Sequence, residues 1–190
     1  TNWQDVYNPF VVRAFHVAMA GADFDTIQAD ETFTIEVPAV FWLEGDGTVD
    51  PDTDAFEPFT YRILIRRKSA TAIAGKVSYR IDFQGRTGTS VSSRWYDLKK
   101  LSLENGDDYN VVAEGLSWLL HRRAGAGNYK PSLAAWNTLT MHVTRPMLDE
   151  LGNPVLDPTT GEQQFSTDVL PQGVYLNVEF VDKYFLQHRG

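Results

Sequence analysis

Cysteine is absent from the chain, which excludes thiol nucleophiles, zinc–thiolate sites, iron–sulfur clusters and disulfide frameworks together. Long apolar runs are missing too: none approaches the roughly 18–20 residues of a membrane-spanning helix. The first twenty residues carry Asp5, Asn8 and Arg13, unlike a secretory leader, so the chain reads as a soluble protein with no membrane partner. Phosphate-cradling loops are lacking. Gln84–Ser90 holds two glycines, but neither the lysine nor the following helix of a P-loop, and reads as a hairpin turn. Four histidines, His16, His121, His142 and His188, stand singly, with no zinc spacing and no Gly-x-Ser-x-Gly elbow. His142 falls on the polar side of a strand pattern and His121 in the last turn of a helix pattern, so surface and dipole roles account for both. No catalytic constellation emerges, and the expectation is a protein that is not an enzyme and needs no cofactor.

What the chain has is ordinary globular composition, 43% hydrophobic and 22% charged over 190 residues, which suits one β domain spanning residues 1–190. Period-two alternation dominates. Thr32–Val37, Val77–Gln84 and Thr138–Thr144 each place apolar side chains on one face, as half-buried strands require. Val11–Ala20, Val40–Leu43, Tyr61–Arg67, Ser90–Asp97 and Val174–Phe180 are further strand candidates, rich in β-branched or aromatic residues. The pattern predicts a mainly antiparallel β-sandwich or barrel. Tyr79 shares a face with Val77, Ile81 and Phe83, which assigns it to the core. One helix is predicted over 107–123, with Tyr109, Val112, Leu116, Leu119 and Leu120 as its apolar face. Asp107 and Asp108 at its start, Arg122 and Arg123 at its end, and Gly125 as its cap complement the helix dipole.

Two polar excursions, about 44–58 and 148–166, share an acidic glycine-bearing turn followed by Asp-Pro-x-Thr, at Asp50–Thr53 and Asp157–Thr160. Both read as protruding hairpins. The first, with Asp46, Asp50, Asp52, Asp54 and Glu57, offers calcium candidates at Asp50, Asp52 and Asp54, spaced like the opening of an EF-hand loop. That pattern then breaks at Ala55 and Tyr61, where glycine and glutamate are required, so no metal is favoured.

Charge is segregated along the chain. Residues 1–60 hold twelve carboxylates and one base, residues 61–130 hold six and thirteen, and residues 131–190 hold seven and three, for a net charge of −8. An acidic chain is a poor specific ligand for nucleic acid, whose binding rests on neutralising phosphates. Separated signs suit docking between copies of the same protein. Arg62, Arg66, Arg67 and Lys68 are the basic candidates for such an interface, and Asp46, Asp50, Asp52 and Asp157 the acidic ones. In general character (a cysteine-free acidic β protein, one helix and Asp-Pro-x-Thr hairpins) the chain resembles the small structural proteins of tailed bacteriophage virions. That resemblance implies a tail, neck or decoration component, located in the virion, with itself and other virion proteins as partners. The alternative is a β-sandwich carbohydrate-binding module using exposed Trp or Tyr among Trp3, Trp42, Trp95, Trp118 and Trp136.

Overall fold

The computed structural model describes residues 3–68, 76–88, 94–105, 111–124 and 133–179. Because side chains alternate across a strand, segments with one apolar face are stable only if those faces meet, and here they meet by closing a barrel. In chain order the elements are α1 (Trp3–Val6), β1 (Arg13–Ala20), α2 (Gly21–Ala29), β2 (Val37–Leu43), β3 (Gly47–Val49), β4 (Phe56–Pro58) and β5 (Tyr61–Arg67). They continue with β6 (Tyr79–Arg86), β7 (Lys100–Glu104), α3 (Val111–Ala124), β8 (Ala134–Pro146) and β9 (Phe165–Glu179). Seven strands close in the order β1-β2-β5-β6-β7-β9-β8, while β3 and β4 form a separate ribbon. Neighbours in the barrel are antiparallel except at the seam, where β1 runs parallel to β8 from Arg13↔Asn137 to Ala20↔Thr144.

The interior is aromatic. Trp95 is fully buried, with ring centroids of Phe41 at 4.9 Å, Phe83 at 5.4 Å, Phe15 at 5.8 Å and Tyr61 at 6.5 Å. Tyr79 is buried with Val77, Ile81 and Phe83, as the alternation predicts. Trp95 reaches this position from a tight reversal: its backbone N–H and C=O pair with those of Leu98, and Tyr96 and Asp97 both take positive φ (45° and 66°) between them. That geometry belongs to a two-residue hairpin turn. The strand expected over Ser90–Asp97 is therefore corrected in its second half; residues 89–93 lie outside the described set.

Three further expectations change. Thr32–Glu36 is a loop although its alternation is that of a strand, and Asp30 is the reason. Its carboxylate accepts the backbone N–H groups of Thr32 (2.8 Å), Thr34 (2.9 Å) and Ile35 (2.9 Å), while Phe33 sits at φ 59°. A short acidic side chain that collects local donors competes directly with a ladder. Second, the single expected helix is joined by α1 and α2. In α2 only Gly21 and Ile27 are buried and no side chain caps its start, so the segment lacked both the stripe and the cap that announce a helix. Third, α3 begins at Val111 and ends at Ala124. Residues 106–110 and 125–132, including the acidic start and Gly125, lie outside the described residues. Of its apolar stripe, Val112, Leu116 and Leu120 are exposed and Leu119 is half-buried, and among the described residues of the helix the buried position is Gly115, which abuts Trp136 on β8.

Candidate functional site

The two Asp-Pro-x-Thr segments prove to be one local structure used twice. In the first, the Asp54 N–H donates to the Asp50 C=O (2.9 Å) and the Asp50 N–H to the Ala55 C=O (2.8 Å). In the second, the Gly161 N–H donates to the Asp157 C=O (2.9 Å) and the Asp157 N–H to the Glu162 C=O (2.7 Å). Asp54 and Gly161 both occupy the left-handed region (φ 55° and 71°). Each aspartate then collects donors from its own turn. Asp50 accepts the Asp52 N–H (2.9 Å) and the Thr53 hydroxyl (2.7 Å); Asp157 accepts the N–H groups of Thr159 (2.8 Å) and Thr160 (2.9 Å). These bonds hold both carboxyls below the usual range, with backbone donors as the leading cause. Asp50 is thus engaged by donors of its own turn, and among the described residues no group of three or more His, Asp or Glu is arranged to hold a metal. Asp52 is exposed, whereas Asp46 turns inward and accepts the Tyr96 hydroxyl at 2.7 Å, pinning the β3–β4 ribbon to the barrel.

The basic candidates separate. Arg66 donates to the Phe33 carbonyl and lies 3.7 Å from Glu36. Arg67 donates to the Gln28 carbonyl at 3.0 Å and stacks over the Phe33 ring at 5.5 Å. Lys68 contacts Glu104 and donates to the Ser102 hydroxyl at 2.8 Å. These three tie the α2–β2 loop and β7 to β5. Arg62 alone of the four stands exposed without an ion pair among the described residues. It lines a shallow outer depression of about 610 Å³ with Ala18, Pro38, Val40, Leu64 and Gln84.

The most conspicuous surface is one the sequence placed only in outline. β8 and β9 span 13 and 15 residues, about twice the other strands of the barrel, and run on into the loop 147–164. β9 pairs with β7 only from Leu176 to Glu179, so residues 165–174 have a strand partner on one side alone among the described residues. Along this arm Leu148, Leu151, Leu156, Phe165 and Val169 are exposed, Leu151 to 87%. Its interior turns are set locally: Asp149 accepts the N–H groups of Leu151 (2.9 Å) and Asn153 (2.8 Å). Residues 147–169 also contain five carboxylates and no base.

A second cluster lies on the barrel's outer wall. His16 on β1 and His142 on β8 belong to the outward phase of their strands, and the parallel seam sets His142 opposite Ala18, diagonal to His16. Nδ1 of His16 lies 3.1 Å from Nε2 of His142. Trp42, paired with His16 across β1–β2, stacks on the His16 ring at 5.0 Å and 8° and tilts against His142 at 4.9 Å. Burial is the leading cause that lowers both imidazole pKa values, opposed at His16 by the charge of Glu44 and reinforced at His142 by His16. The expectation that the histidines stand apart is thus corrected for this pair. The sequence pattern places His142 on the polar side of its strand, but nothing local announces that β1 and β8 are neighbours. Of the candidate sugar platforms, Trp95 is buried, Trp42, Trp118 and Trp136 are half-buried, and Trp3 is undescribed at its side chain.

The fold class is therefore a closed, mainly antiparallel seven-stranded barrel bearing an extended hairpin arm. No protein-family model matches the chain, and no curated protein is found to be similar to it.

Proposed function

We propose that this chain is an assembly protein whose β8–β9 arm docks on a neighbouring copy, in the manner of a ring-, tube- or layer-forming virion component. The supporting observation is the arm itself, a strand edge that no other described strand pairs with over residues 165–174, continuous with exposed Leu148, Leu151, Leu156 and Phe165. A long edge with apolar side chains associates with other chains unless something covers it. The receiving surface in this reading is the depression on β1, β2, β5 and β6, where Ala18, Pro38, Val40 and Leu64 meet the leucines and Arg62 meets the carboxylates. Arm and depression are different surfaces of one molecule, so the contact is heterologous and propagates into a ring or filament according to its angle.

The test is native mass at micromolar concentration across ionic strength, for the wild type, for a variant with Asp149–Glu162 replaced by a short turn, and for Leu64→Glu. Assemblies in the wild type that weaken with salt and are lost in both variants are expected. A monomer at high concentration and low salt, or an assembly that survives both changes, would refute the reading.

A further inference from the structure

We propose that His16 and His142 form a two-imidazole site on the outer barrel wall for a late first-row divalent metal ion, copper(II) foremost. The facing nitrogens, Nδ1 of His16 and Nε2 of His142, lie 3.1 Å apart. An ion about 2.05 Å from each nitrogen, a normal imidazole–metal length, would subtend an angle of about 98° between them. Adjacent positions of a square-planar or octahedral ion require about that angle. The nitrogen separation therefore matches that of a chelating pair, and rotation of the two imidazoles about their side-chain bonds would turn both lone pairs from each other toward a shared ion.

The sheet supplies the preorganisation. His16 is fixed in the parallel ladder opposite Thr140, and His142 in the same ladder opposite Ala18, so their separation is set by strand register rather than by a loop. Trp42 stacks flat on the His16 ring and restrains its rotation. Without metal, the geometry fits one ring N–H donating to the other ring's lone pair. For both nitrogens to ligate, that proton moves to the other nitrogen of its own ring, a tautomer change that leaves both imidazoles neutral and requires no oxidant or reductant. Water completes the coordination shell on the open side. Nitrogen donors select against calcium and magnesium, and the order of affinities among divalent ions places copper(II) above nickel(II) and zinc(II). This site rests on the histidine pair and is independent of the arm-docking reading.

The experiment is a titration of the whole chain with Cu²⁺, and in parallel Ni²⁺, Zn²⁺ and Ca²⁺, followed by tryptophan fluorescence and by electron paramagnetic resonance of the copper form. One saturating Cu²⁺ per chain is expected, with nitrogen couplings from two imidazoles and quenching that falls sharply in Trp42→Phe while binding persists. His16→Asn and His142→Asn should each weaken Cu²⁺ on the order of tenfold or more. Equal binding by the wild type and both variants would place the ion elsewhere and overturn the site. So would a wild-type copper spectrum without two nitrogen ligands, a result that does not depend on whether either variant folds.

Discussion

Replacing Gly115 by alanine sets helix propensity against packing, and the two predict opposite signs. In an exposed helix interior, alanine is better than glycine by about 1 kcal/mol. At this position, however, a Cβ would lie 2.6 Å from Cε2 and 3.0 Å from Nε1 of Trp136, and closer still to Cζ2. The obstacle is an indole, not the loose end of a flexible chain. Trp136 stands on β8, whose backbone is held at that position by pairing with Leu176 of β9, so relief requires α3 to lift or the ring to leave its rotamer. Overpacking of this kind costs about 1–3 kcal/mol, enough to cancel or exceed the propensity gain. We expect Gly115→Ala to lower stability by about 1 kcal/mol in urea unfolding and to reduce hydrogen-exchange protection in α3 more than in the barrel. In a Trp136→Leu background the obstacle is gone, and the same substitution should stabilise by about 1 kcal/mol, a coupling of about 2 kcal/mol. Stabilisation by the same amount in both backgrounds would show that α3 does not rest on Trp136 and would refute the packing argument.

Trp95→Ala should cost about 3–5 kcal/mol, because it empties the centre of the aromatic cluster; a urea midpoint within error of the wild type would exclude that placement. Arg66→Glu should lower stability by about 1–2 kcal/mol through loss of the Phe33 carbonyl contact and repulsion from Glu36, with little direct effect on assembly. Arg62→Glu should do the reverse, and a pair of variants that behave alike in thermal melts and native mass would contradict the separation of their roles. Asp30 is held down to about 2 from 3.8, led by the Thr32 hydroxyl and helped by three backbone donors. Its folded value lies below its unfolded one, so the stability it contributes is present above about pH 4 and is lost as pH falls toward about 2. The wild type should therefore lose stability faster than Asp30→Asn across that interval, and parallel curves of unfolding midpoint against pH would count against the carboxylate's role.

How much of this was legible beforehand follows from the range of the forces involved. Alternation in Val77–Gln84 and Thr138–Thr144 depends on residues two apart, and it correctly announced β6, part of β8 and the burial of Tyr79. The repeated Asp-Pro-x-Thr was readable for the same reason: an aspartate bonding to N–H groups two and three residues on needs no tertiary partner, and both copies form the same turn. Where a local signal misled, another local group had prevailed, as when Asp30 took the donors that Thr34 and Ile35 would have given to a ladder. The stripe on α3 misled differently, since a periodic apolar face says that a helix forms but not which side a neighbour will cover.

By itself, then, the sequence determined a mainly β chain with acidic hairpin turns, because strand alternation and turn capping are settled within a few residues. Tertiary structure alone decided that the sheet closes, that β1 meets β8 in parallel across more than a hundred residues, and that β9 outruns β7. From those pairings come the His16–Trp42–His142 cluster, the engagement of Arg66, Arg67 and Lys68 within the chain, and an arm edge that no other described strand pairs with. Contacts between distant segments depend on which closure buries the most apolar surface at once, and no short window of residues contains that comparison.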